Sequence, residues 1–237
     1  MKDYLFASES DSNAKRAIVV LPDIWGQTDY SFLTLKQLTE KFQCPCYMLD
    51  YFYEITNKPS KFNPETDEAT AVGLMNTMRG EDFNKIFSTA INDIKSAQPH
   101  LKDLIVIGFC FGGRLAYLSG LEKSVTKIIS FYGAGAHTED YFKGQTPIEA
   151  LCSGRNADKQ LSVLSYYGNQ DSSIPLEDRS KTKAELKKAG INYLAQEYEA
   201  GHAYFQPGRP NYNEAAAIDS WQVLEKFINE DIGNESK

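Results

Sequence analysis

Residues 104–109, Leu-Ile-Val-Ile-Gly-Phe, run without a polar side chain straight into Cys110-Phe111-Gly112-Gly113. No other stretch restricts the fold of this chain as tightly. The β-branched run reads as a strand buried on both faces. The residues from about 112 to 122 read as a helix that follows it directly. A strand passing straight into a helix is half of a βαβ unit, and the rest of the chain repeats the alternation. Residues 16–22 (RAIVVLP) read as a second buried strand, and Leu33, Leu35, Leu38 and Phe42 then recur at helical spacing. Residues 46–52 (CYMLDYF) read as a strand, and 53–68 as a long loop or cap rich in Asn, Lys, Pro and Ser. Phe83, Ile86, Phe87, Ala90, Ile91 and Ile94 mark an amphipathic helix. Strands follow at KIISFYG, SVLSYYG and NYLAQEY, with a Lys-rich helix over 176–189 and a closing helix over 215–228. This alternation predicts an α/β protein of three layers, a mostly parallel central sheet with helices on both faces.

The chain has 237 residues and 42% apolar composition, so a sizeable core is available without disulfide or metal staples, and one domain over 1–237 is expected. Lys and Arg number 25 against 32 Asp and Glu, a net charge of −7. That sign argues against a nucleic acid or an anionic membrane as partner, since both attract positive surface. No stretch reaches the length of a membrane span. The first residues lack the apolar core of a secretory signal, so a cytoplasmic protein is expected. In a reducing compartment Cys44, Cys46, Cys110 and Cys152 are expected as free thiols. Cys44-Pro45-Cys46 has no Cys or His cluster to complete a zinc site, and Gly133-Ala134-Gly135 lacks dinucleotide-binding spacing. Neither a metal nor an organic cofactor is expected.

The chemistry concentrates at Gly108-Phe109-Cys110-Phe111-Gly112-Gly113. A Cys between a strand and a helix, with Gly two residues before and two after, is the pattern of a nucleophile elbow. The turn is so tight that a β-carbon at either glycine would clash. It lifts the sulfur above the sheet's carboxyl edge and over a helix N-terminus, whose partial positive charge favours thiolate. The alternative for Cys110 is a small buried core residue.

A nucleophile needs a base, and the base an orienting acid. Of three histidines, His100 lies in a polar turn and His137 in a Gly/Ala loop. His202, in Ala200-Gly201-His202 between the last strand and the closing helix, is the leading candidate. Asp171 ends the Gly168-Asn169-Gln170-Asp171 turn after an intermediate strand; its alternative role is to cap its own loop. The order Cys110, Asp171, His202 is nucleophile, acid, base, at three successive strand ends of one sheet edge. An oxyanion hole would use the Phe111 N–H and a second N–H from the early loop Pro22-Asp23-Ile24-Trp25-Gly26, with Ile24 the candidate donor. That loop reads equally well as an ordinary turn with Trp25 covering the core.

From about residue 16 to residue 228 the chain resembles the dienelactone hydrolase family of the α/β-hydrolase superfamily. The likeness rests on the G-x-C-x-G-G elbow, the G-x-x-D turn ending at Asp171, the A-G-H at Ala200 to His202, and Arg209-Pro210-x-Tyr212 before an Ala-rich helix. The resemblance implies a three-layer α/β-hydrolase fold and hydrolysis of a small ester or lactone by a Cys-His-Asp triad. Substrate- or thiol-modulating roles near the site are expected for Asp23 and Arg209, for Trp25 of the early loop, and for Tyr204, an aromatic in a loop near a predicted strand end that either lines an apolar pocket or packs into a cap. Two positions depart from the family pattern. Asp23 stands where a Glu commonly meets the resting thiol, and Gln206 stands four residues after the histidine, where enzymes acting on dienelactone carry an arginine; the nearest arginine here is Arg209. The reaction class is thus better supported than the dienelactone substrate.

The expected partner is a small-molecule ester or lactone. A thioesterase or general carboxylesterase on the same triad is the nearest alternative. A catalytically silent protein of this fold, acting in binding or thiol sensing, is the other.

Overall fold

A computed structural model of the chain describes residues 4–8, 14–154 and 160–230. Seven strands form one sheet: β1 (Leu5–Ala7), β2 (Arg16–Leu21), β3 (Cys46–Leu49), β4 (Asp103–Phe109), β5 (Val125–Phe131), β6 (Ser162–Gly168) and β7 (Asn192–Tyr198). Their spatial order is β1-β3-β2-β4-β5-β6-β7, all parallel except β1, which runs antiparallel to β3. The helices are α1 (Asp29–Phe42), α2 (Tyr53–Thr56), α3 (Glu68–Thr77), α4 (Gly80–Ala97), α5 (Phe111–Ser119), α6 (Pro147–Gly154), α7 (Leu176–Lys188) and α8 (Glu214–Asn229).

Strand side chains alternate between two cores. Ala17, Val19, Leu104 and Val106 face a cluster with Phe83, Phe87 and Ile91 of α4, Leu115 of α5 and Leu151 of α6. Ile18, Val20, Ile105 and Ile107 face the opposite cluster with Leu35 and Leu38 of α1 and Leu224, Phe227 and Ile228 of α8. This is the expected three-layer α/β-hydrolase architecture, with no helix among the described residues long and apolar enough to cross a membrane.

Several local expectations need correction. The strand expected over 46–52 stops at Leu49, because the buried Asp50 turns the chain. Its carboxylate accepts the Phe52 N–H at 3.1 Å, the Ser60 N–H at 2.6 Å and the Gln27 amide at 2.8 Å, so it folds the next loop around itself. That loop is not irregular throughout, since it contains α2. The helix after β4 spans Phe111–Ser119, not 112–122. β1, α3 and α6 went unforeseen: β1 has three residues, too few for an alternation signal, while α3 buries only Ala71. On α1 the buried stripe is Ser31, Thr34, Leu35 and Leu38, and Leu33 is 49% exposed.

The two leucine-type positions separate cleanly on unfolding. Ile91→Ala, in the sheltered stripe of α4, lowers stability by about 2–5 kcal/mol in denaturant titration. Leu33→Ala changes it by less than about 0.5 kcal/mol.

Candidate active site

The sharp turn between β4 and α5 carries the site. Cys110 has φ 53° and ψ −116°, a backbone conformation that L residues rarely adopt. Its N–H donates to the Phe131 carbonyl of β5 at 3.0 Å. A β-carbon on Gly108 would stand 2.1 Å from the Gly112 carbonyl oxygen, and one on Gly112 would stand 2.2 Å from the Leu21 oxygen. Both glycines are therefore steric necessities of the turn. Phe111 begins α5, so its N–H is one of the four at a helix start without an intrahelical acceptor.

Two further strand ends deliver the partners. The turn after β6 is laced to the chain after β7: Asn169 N–H donates to the Tyr198 oxygen at 2.8 Å and Gln170 N–H to the Ala200 oxygen at 3.0 Å. This lacing sets Asp171 beside His202. Asp171 Oδ1 accepts the Ser173 N–H at 2.9 Å, and Oδ2 lies 2.6 Å from His202 Nδ1. His202 Nε2 lies 3.1 Å from Cys110 Sγ. The three ends are not successive, however: they follow β4, β6 and β7, and β5 stands between the first two.

Electrostatics follow from these contacts. Burial alone would lower the His202 pKa; the bonds to Asp171 and to the Cys110 sulfur, with their negative charge, outweigh burial and push it up to about 10. Burial would raise Asp171, but the His202 bond and charge and the Ser173 bonds outweigh it and hold the carboxyl below its ordinary value. Asp23 behaves oppositely. Its burial outweighs the nearby Arg209 and the Trp25 and Gln206 donors, and its pKa is raised.

Asp23 does not stand free to meet the thiol. Oδ1 accepts the Trp25 N–H at 3.0 Å, and Oδ2 accepts Arg209 Nη2 at 3.0 Å and Gln206 Nε2 at 3.2 Å. Arg209 Nε donates to Gln206 Oε1 at 3.0 Å, and its guanidinium lies 5.4 Å from the Trp25 ring centroid. Gln206 is thus part of a tether between the loop after β2 and the loop after β7. Within the early loop the Trp25 and Gly26 N–H groups are both turned onto Asp23, the latter to its carbonyl at 3.0 Å. The Ile24 N–H is not used in that turn.

Other candidates lie elsewhere. Tyr204 is fully buried, with its hydroxyl 3.0 Å from Ser220 Oγ of α8, so it packs into the core between the sheet and α8. His137 Nε2 is 2.9 Å from Thr182 Oγ1 of α7, and His100 is exposed. Cys44 and Cys46 are buried thiols, Cys152 is half-buried, and no group of His, Cys, Asp and Glu among the described residues has metal-binding geometry. Arg114, one turn beyond Cys110, adds a charged group that no motif marks. Its Nε donates to the Ala134 oxygen at 2.8 Å, its guanidinium lies 5.1 Å from the Phe111 ring centroid, and it feels the charge of the Cys110 sulfur. Burial lowers its pKa, and among the described residues it has no ion-pair partner. Its place at the i+4 position of the elbow was the available signal.

The model of the dienelactone hydrolase family matches residues 1–231. A Synechocystis protein provisionally named a carboxymethylenebutenolidase is 33% identical over 129 residues, covering 54% of this chain and 50% of that protein. The chain thus spans about half the length of the curated relatives it matches first. Among solved structures, a provisionally named dienelactone hydrolase from Klebsiella pneumoniae superposes with a TM-score of 0.77 at 18% identity, covering 95% of this chain and 99% of that one. A thermophilic esterase from Thermogutta terrifontis gives a TM-score of 0.68 at 15% identity, covering 98% of this chain and 91% of its own. Both structural likenesses concern the fold.

The His202 shift has a sign that stability measurements will read. A raised histidine pKa stabilises the folded state fully below the unfolded value, 6.5, and that contribution is lost as pH rises toward about 10. The melting temperature therefore falls across that interval in the wild type, and falls less in His202→Gln.

Proposed function

The chain belongs to the dienelactone hydrolase family, and from that premise we propose that it hydrolyses small carboxylic esters or lactones through an acyl-cysteine intermediate. The observation that carries this reading is the His202 ring, which bridges Asp171 Oδ2 at 2.6 Å and Cys110 Sγ at 3.1 Å. Asp171 fixes the imidazole with Nε2 toward the sulfur and stabilises its charged form. Cys110 Sγ, its proton passed to His202 Nε2, attacks the carbonyl carbon, and the C=O electron pair moves to oxygen, where the Phe111 and Ile24 N–H groups receive it. Collapse of that intermediate breaks the ester C–O bond as the leaving oxygen takes the proton from His202 Nε2. In a lactone the leaving oxygen stays attached as the open chain. Water then attacks the thioester carbonyl, gives its proton to His202, and the sulfur departs. Each step conserves protons between substrate, water and imidazole, so the cycle needs no metal or cofactor.

Sulfur is a better leaving group than an amine, so a tetrahedral adduct on Cys110 with an amide reverts, whereas one with an enol ester or lactone goes forward. Activated esters are therefore favoured over peptides. Arg114 supports a further preference. A half-buried guanidinium without an acidic partner is costly, and it lies within electrostatic reach of the sulfur. An ester bearing a carboxylate would supply the missing charge.

Cys110→Ala and His202→Ala each abolish hydrolysis of enol lactones and p-nitrophenyl esters while keeping a cooperative melt; wild-type rates in either variant refute the mechanism. Assaying acyl thioesters beside them separates this reading from a thioesterase. Arg114→Met lowers the ratio of kcat/KM for a carboxylate-bearing ester over its neutral analogue by about tenfold or more.

A further inference from the structure

The sequence pattern places Tyr51 in a strand, but the chain has already turned there and its hydroxyl lies at the junction of the two loops that flank the sulfur. The side chain is fully buried, with Oη 2.7 Å from the Pro22 carbonyl oxygen and 2.9 Å from that of Asp23. One proton is shared between two carbonyls. The Asp23 carbonyl belongs to the same peptide unit as the Ile24 N–H. In a trans peptide these two groups lie in one plane and point in opposite directions, so holding the oxygen aims the N–H. The Gly26 N–H grips the same oxygen at 3.0 Å from within the turn. Tyr51 reaches the other donor as well: its ring stands edge-on to that of Phe111, at 5.7 Å and 73°. The Pro22 carbonyl that it touches is the one that would lie 2.3 Å from a β-carbon on Gly112. Tyr51, the early loop and the elbow thus meet at a single point.

We propose that Tyr51 is a positioning residue for the oxyanion hole, its hydroxyl holding the Asp23–Ile24 peptide so that the Ile24 and Phe111 N–H groups converge above Cys110. The inference rests on the acyl-cysteine reading and deepens it. Tyr51 touches no reacting atom and acts through the peptide it holds. Burial, reinforced by the negative charge of Asp23 and Cys110, keeps the phenol protonated and hence a donor throughout the working pH range. A donor fixed before the reaction begins stabilises developing charge without reorganising, which is where such a hole acquires its effect.

Tyr51→Phe keeps the ring and removes the hydroxyl. Two readouts are compared in each variant: steady-state hydrolysis of p-nitrophenyl acetate, and the rate at which iodoacetamide alkylates Cys110. Alkylation needs the sulfur and His202 but develops no oxyanion. Tyr51→Phe is expected to lower kcat about tenfold to a hundredfold with KM nearly unchanged, while alkylation keeps its wild-type rate. Placing 4-aminophenylalanine at position 51, which restores an N–H donor on the same ring, is expected to recover most of the lost kcat. A kcat within about twofold of wild type in Tyr51→Phe overturns the proposal. So does alkylation that falls in step with kcat, or loss of the cooperative melt, since either means that the hydroxyl holds the fold and not the donor. Turnover surviving in Cys110→Ala is a separate result, and it refutes the acyl-cysteine reading itself.

Discussion

The whole site depends on the close approach of backbone to backbone at the end of β4. Cys110 is held in a conformation that costs about 1–3 kcal/mol, and it is retained there because its surroundings allow nothing else. Its N–H is taken by Phe131, Gly108 lies against the Gly112 carbonyl, and Gly112 lies against Leu21 and Pro22. Each contact does two things. It forces the sulfur out of the sheet plane, and it brings a neighbouring strand end against the elbow. The loop bearing Asp23 and Ile24 is close to Cys110 because Gly112 has no side chain to keep it away.

Two buried carboxylates near this elbow are driven in opposite directions, and the contrast separates their duties. Asp171 is held ionised by an imidazole 2.6 Å away and by Ser173. A negative charge there raises the His202 pKa. Asp23 is more deeply desolvated, and Arg209, Gln206 and Trp25 do not fully offset that burial. Its bonds join residues 23 and 209, so the loop carrying the proposed oxyanion donor and the loop carrying the imidazole are fastened together. Asp23 is turned to this fastening and away from the thiol. Gln206 completes it by bonding to both partners.

How much of this was readable depended on whether the signal was local. The elbow was legible because strand, glycine pair and helix lie within one short stretch, and the β4 and α4 patterns were strong because both are buried along a continuous face or run. The end of β3 was not legible: Asp50 turns the chain through bonds to residues 27 and 60, and apolar neighbours such as Tyr51 and Phe52 extend the strand pattern past the turn. Leu33 matched helical spacing while facing out, because Ser31 and Thr34 took inward positions that a hydrophobicity pattern does not credit. Tyr204 follows His202 closely in sequence, but the chain folds inward after Ala203 and carries its hydroxyl to Ser220. The bond between Gln206 and Asp23 spans most of the chain, and no periodicity reports it.

The interposed β5 explains a feature that successive strand ends would not require. To reach Cys110 from beyond β7, the imidazole must pass over the end of β5, so the chain leaving that strand has to clear the path at once. Tyr132 does so at φ 40°, a left-handed turn that a bulky residue rarely takes. Its N–H is fixed to the Tyr166 oxygen at 2.8 Å, and its carbonyl accepts the Ala134 N–H at 2.9 Å. The ring this turn buries lies edge-on to His202, with centroids 5.2 Å apart. The strain at Tyr132 therefore complements the strain at Cys110. One lifts the sulfur above the sheet, and the other turns the chain away from the strand end between sulfur and acid while leaving the Tyr132 ring packed against the imidazole at 61°.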